Sequence, residues 1–181
     1  MPASLPPALL LALLLAAVST DLQARRIPNT LVLAGITLAL AAHTLSLAGS
    51  HPPLAGPAWW APLAGLATGL AVLMPLYLLR AMGAGDVKLM AMVGAFVGAP
   101  TVLMAALYTL LAGGLLSLAV MVARGMTRRT LTQVRDLLLQ GALLWRTGQG
   151  TSLAPLQTTA ARLPYAVAIT VGTVAALAQA R

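Results

Sequence analysis

Residues 59–79 read WWAPLAGLATGLAVLMPLYLL, a run with no Asp, Glu, Lys or Arg. A helix crossing the hydrocarbon core of a bilayer needs about 20 such residues at 1.5 Å each. Working outward, five more apolar stretches appear, at about Leu5–Thr20, Leu31–Ala48, Val87–Gly98, Thr101–Ala123 and Leu163–Ala178. The predicted fold class is an all-α integral membrane protein with about six transmembrane helices. The stretch Val87–Gly98 is short for a span, which predicts either a tilt or shielding by its neighbours. Gly94, Gly98 and Pro100 predict a tight turn into the fifth span.

Composition agrees with lipid as the main solvent. Of 181 residues 60% are apolar and 8% charged, and the mean hydropathy is +0.92. Soluble domains average about 25% charged. The net charge of +8 would suggest nucleic acid in a soluble chain. Here the basic residues lie between apolar runs without interleaved aromatics, which favours topology and contact with lipid headgroups. Cys is absent, which excludes disulfides, thiolate zinc sites and a Cys nucleophile. The two His residues, His43 and His51, do not make a metal site, and no cofactor is expected. The acidic residues are Asp21, Asp86 and Asp136, so carboxylate chemistry must come from these three.

Charge sets the expected orientation. No Lys or Arg precedes the first apolar run, while Arg25-Arg26 follows it. Ala17-Val18-Ser19 loosely resembles a cleavage site, but the missing basic n-region favours a retained helix with its N-terminus outside. The loops then alternate. Arg25, Arg26, Arg80, Lys88, Arg124, Arg128, Arg129, Arg135, Arg146 and Arg162 fall inside, and only Arg181 falls outside. This pattern predicts both termini outside and all three aspartates in the inner layer. Within the inner loop 124–162, Leu131, Val134, Leu138 and Trp145 recur near helical spacing. Arg128, Arg135 and Asp136 lie mostly off that stripe, which predicts an amphipathic helix on the cytoplasmic face.

Two aspartates invite a chemical reading. Asp21 closes the first span, where a helix C-terminus disfavours a carboxylate. Its structural reading is a polar marker of the boundary; its functional reading follows from an ionisable group at a membrane edge. Asp86 follows Gly83-Ala84-Gly85 and reads either as an N-cap or as a group that a substrate backbone could approach across flexible glycines. Lys88 does not share a helix face with Asp86, so it is expected to snorkel or to meet another helix. Pro28 and Asn29 read as the turn and N-cap of the second span. Asp136 beside Arg135 reads as a solvated charge. Two carboxylates brought together do not readily ionise together, so one holds a proton while the other stays charged. Such a pair can activate water, protonate a leaving amine and cut a peptide without a covalent intermediate. Spacing alone does not bring the two together.

These residues resemble the prepilin peptidases, membrane aspartyl proteases of type IV pilus and related systems. The matches are Asp21 followed by Arg25-Arg26-Ile27-Pro28-Asn29, then Gly83-Ala84-Gly85-Asp86-Val87-Lys88-Leu89, similar to the family's Gly-x-Gly-Asp-x-Lys signature. Leu163-Pro164-Tyr165-Ala166-Val167-Ala168 is similar to the opening of the family's last helix. The resemblance implies that Asp21 and Asp86 are catalytic, with Gly83, Gly85, Lys88, Pro28 and Asn29 positioning substrate or motif. It implies cleavage of a prepilin or pseudopilin leader at the cytoplasmic face of the inner membrane. Larger members carry an N-methyltransferase region with cysteine pairs. This chain, without Cys, looks like the short peptidase-only form serving Flp-type (tight adherence) pili, a single membrane-embedded domain over residues 1–181.

Three other readings remain at this stage. A small ion-coupled transporter would place ionisable groups near the bilayer midplane, whereas these cluster at one boundary. A noncatalytic membrane subunit of a pilus or secretion assembly would tolerate Asp→Asn changes. A related protease with the same Gly-x-Gly-Asp chemistry would act on other membrane peptides.

Overall fold

The computed structural model describes residues 5–49, 53–79, 82–123 and 165–179. They form α1 (Leu5–Ala24), α2 (Asn29–Ala48), α3 (Ala61–Leu78), α4 (Ala84–Ala123) and α5 (Tyr165–Gln179), with no strand among the described residues. The expected amphipathic helix of loop 124–162, with Asp136, lies outside the described residues. So do His51, Arg80, Leu163, Pro164 and Arg181.

Four of the helices, α1 to α4, are long and apolar enough to cross a membrane, and α5 is a shorter apolar helix. The sequence predicts separate fourth and fifth spans; the structure has one helical run, α4, interrupted only at Gly98. That residue has φ 78° and ψ 171°, a region that belongs almost entirely to glycine. The first arm, 84–97, runs antiparallel to α3: Gly94 packs on Gly65, and Met90 on Gly69. The second arm, 99–123, runs antiparallel to α5, with Thr109 against Gly172 and Gly113 beside Tyr165. Tyr108 also donates a hydrogen bond to the Gln179 side chain. The start of α5 and the start of α4 lie at the same end of the bundle, next to Asp21 and Asp86 respectively. The two arms of α4 therefore run in opposite senses, and Gly98 reverses the chain. Gly94 does not join the turn as the sequence suggests; it stays helical and packs on α3. Pro100 falls in the first turn of the second arm, where its missing N–H costs little.

The first arm is the core. Val87, Leu89, Met90, Ala91, Met92, Val93, Ala95, Phe96 and Val97 are each no more than 4% exposed. A helix buried all round needs no lipid-spanning length of its own, which resolves why this stretch is short. Leu10, Leu14 and Ala17 of α1, Val32 and Ala39 of α2 and Leu73 of α3 pack into the same core. Outward faces remain apolar: Leu15, Leu33, Leu63, Leu111 and Leu115 are all exposed. An apolar exterior of this extent fits a hydrocarbon solvent. Exposed Trp59 and Trp60 stand at the end opposite the aspartates, suited to a membrane–water interface.

Glycine makes the closest approaches possible. A Cβ at Gly65 would overlap the Gly94 carbonyl, and one at Gly94 the Gly65 carbonyl. Lipid tails are as apolar as a leucine, so close backbone packing must supply much of the association between such helices.

Candidate active site

Helix α1 continues past the expected boundary at Thr20 and ends at Ala24, which leaves Asp21 inside its last turn. The adverse dipole there is met by another helix. Ala166, the second residue of α5, donates its backbone N–H to Asp21 Oδ2 at 3.2 Å. The first N–H groups of a helix lack internal partners and carry partial positive charge. The carboxylate at the end of α1 thus occupies the favourable end of α5. No pattern in the sequence announces this contact, because its partners lie 145 residues apart.

Asp86 is not the N-cap that its position suggests. Helix α4 begins at Ala84, so Asp86 is its third residue, and its Oδ2 accepts the Gly83 N–H at 3.2 Å. This is the back-reaching half of a capping box. Gly83 leaves room for it, since a Cβ there would meet Asp86 Oδ2 at 3.2 Å. A Cβ at Gly85 would meet Ile27 Cβ at 3.3 Å. The second glycine therefore lets the start of α4 approach the α1–α2 turn closely.

The α1–α2 turn spans 25–28. Arg25 ends α1 with φ 51°, and Pro28 opens α2 in extended backbone at φ −64° and ψ 134°. Asn29 is the first helical residue rather than the cap, and it makes no capping hydrogen bond. Its Oδ1 instead accepts from Lys88 Nζ at 3.1 Å. Lys88 thus meets another helix and ties the first turn of α2 to the second turn of α4.

Asp21, Arg25, Arg26 and Ile27 on one side and Gly83, Gly85 and Asp86 on the other line a single open cavity of about 230 Å³. Both carboxyl groups are half-buried. Among the described residues no Lys or Arg nitrogen lies within 4.0 Å of a carboxylate oxygen. Composition assigned Arg25 and Arg26 to topology; their place four and five residues after Asp21, at a tight turn, was the signal that they also face the site. His43 sits at the opposite end, its Nε2 3.0 Å from the Ala58 carbonyl oxygen. The described residues hold no group of three or more side chains suited to a metal ion.

The model of the type IV leader peptidase family matches residues 8–118, more than half of the chain and both motifs that line the cavity. Comparisons with curated proteins and with solved structures give no significant match.

Proposed function

This chain belongs to the type IV leader peptidase family, and on that premise we propose that it cuts prepilin-type substrates with Asp21 and Asp86 as a catalytic pair. The observation that carries the proposal is that these two aspartates, on different helices and far apart in sequence, line one cavity. One carboxylate removes a proton from water as its oxygen attacks the scissile carbonyl. The other, protonated, supports the developing oxyanion and then passes its proton to the leaving amine. The C–N bond breaks, a leader carboxylate and a new amino terminus form, and no covalent enzyme intermediate is needed.

The membrane arrangement follows from charge. Arg25, Arg26 and Lys88 lie at the aspartate end, which favours that end facing the cytoplasm. In this orientation the arms of α4 cross in opposite directions, the count reaches six crossings, and the chain sits in a bacterial inner membrane with both termini outside. The apolar helix of the substrate lies beside the bundle, its scissile bond level with the aspartates. Lacking Cys throughout, this single domain performs no methyl transfer of the cysteine-containing kind, as in peptidases serving Flp-type pili.

Purified protein in vesicles tests the chemistry. Asp21→Asn and Asp86→Asn should each lower leader cleavage at least ~10³-fold, and added hydroxylamine should capture no leader hydroxamate. Hydroxamate formation would reveal an acyl-enzyme and refute direct water attack.

A further inference from the structure

Resting on the peptidase reading above, we infer that Arg25 is a substrate-binding residue whose guanidinium takes an acceptor oxygen of the bound peptide. Three observations converge on it. Arg25 is the one non-glycine residue with positive φ among the described residues, at 51°. It holds the position just after a helix end that glycine most often fills, and a side chain there is disfavoured by its Cβ. Yet the chain keeps the longest basic side chain at this place. Second, that residue lines the cavity between the two aspartates. Third, although exposed and close to two carboxyl groups, it forms no ion pair with either. Among the described residues its guanidinium is paired with neither carboxylate, which suits it to a group that enters the cavity.

Strain kept at a site is informative when a strain-free residue would serve the fold as well. Glycine would end α1 without penalty, and any Lys or Arg elsewhere in the turn would supply the topological charge. Arg26, next along with no unusual backbone, already does so. What neither alternative supplies is a guanidinium held at this point of the cavity wall. Its planar fork of five donors suits a carboxylate or a peptide carbonyl. A peptide cut between the aspartates must run past this wall, so the acceptor is a side-chain carboxylate or a backbone carbonyl of the substrate.

The test uses the full chain in vesicles of zwitterionic lipid with an intact prepilin-type substrate. Arg25→Gly and Arg25→Asn both suit the backbone, because glycine and asparagine enter the left-handed region readily. Each should unfold at the same or a higher temperature than wild type. Each should also raise KM about tenfold or more while kcat falls much less, a tenfold change being ~1.4 kcal/mol. Arg25→Lys should recover part of the loss in KM. Peptide affinity measured in the Asp86→Asn background, where cleavage is blocked, should fall by the same factor. That arm separates this inference from the catalytic proposal: if Asp86→Asn still cleaves, the catalytic pair is wrong, and the affinity arm still reads Arg25. Replacing substrate Asp and Glu by their amides identifies the acceptor. If the effect of Arg25→Gly disappears, the acceptor is a carboxylate; if it persists, a carbonyl. An unchanged KM and affinity in both Arg25→Gly and Arg25→Asn would overturn the inference. So would an effect that appears only when anionic lipid is added, which would make Arg25 a headgroup contact.

Discussion

Lys88 and Asn29 show how single residues of the two motifs act together. The hydrogen bond between them, 3.1 Å long, joins the second turn of α4 to the first turn of α2. Pro28 fixes the turn just before Asn29, so the bond also braces the segment that carries Arg25 and Ile27 beside Asp21. Both side chains are exposed, and an exposed charged contact contributes about 1 kcal/mol or less. Lys88→Met and Asn29→Ala should therefore each lower cleavage about fivefold, and the double variant should be little worse than either alone. Cleavage rates of the four proteins in that cycle check this; additive losses would mean that the residues act independently. Asn29→Asp, which offers Lys88 a charged acceptor, should retain most of the activity. Which atoms meet here was not legible in the sequence. Whether Asn29 caps α2 depends on where the helix begins, and a shift of one residue moves it from cap to first turn. Asp86 was displaced in the same way, from the cap to the third helical position.

Among the elements, α4 departs most from expectation, and its glycines explain how. The sequence pointed correctly to a turn near Gly98, because glycine followed closely by proline interrupts a helix. It could not separate Gly98, which reverses the chain, from Gly94, which packs helix on helix; the difference lies in neighbours contributed by Gly65 and Ala55. Gly98→Ala should be destabilising twice over. Its backbone has φ 78°, costing about 1–2 kcal/mol for a side chain, and a Cβ would also overlap the Ala55 carbonyl. Gly114 is the contrast: nothing lies within 4 Å of a Cβ there, so Gly114→Ala should be neutral or stabilising by up to about 1 kcal/mol. Thermal unfolding in one detergent compares them, and equal midpoints for the two variants would argue against the reversal at Gly98. Helix α1 presents a different case. Its extension to Ala24 matters because it hands Asp21 to the N-terminus of α5, a tertiary contact without any local signature.

For the whole molecule, apolar periodicity told little about which helix is the core, since nearly every position is apolar. Burial of the first α4 arm, 84–97, emerges only once α1, α2, α3 and the second arm surround it. Charge was the more informative signal, because the basic side chains among the described residues, Arg25, Arg26 and Lys88, lie at the aspartate end of the bundle. The proposed orientation can be checked directly, as the chain contains no Cys. Single cysteines placed at Gln23 and at Pro57 should differ in sealed cells. A membrane-impermeant maleimide added outside should label Pro57→Cys and not Gln23→Cys; the reverse pattern would invert the topology. Inverted topology would place the cavity on the side away from the cytoplasm and leave leader cleavage there without a basis.

The most direct measurement is the intact mass of a prepilin-type substrate co-expressed with wild type, Asp21→Asn or Asp86→Asn, with each variant shown to be folded in the membrane. A paired-aspartate peptidase predicts a mass lower by the leader with wild type and the full-length mass with both variants. Normal processing by either variant would contradict the pairing of Asp21 with Asp86 at this site.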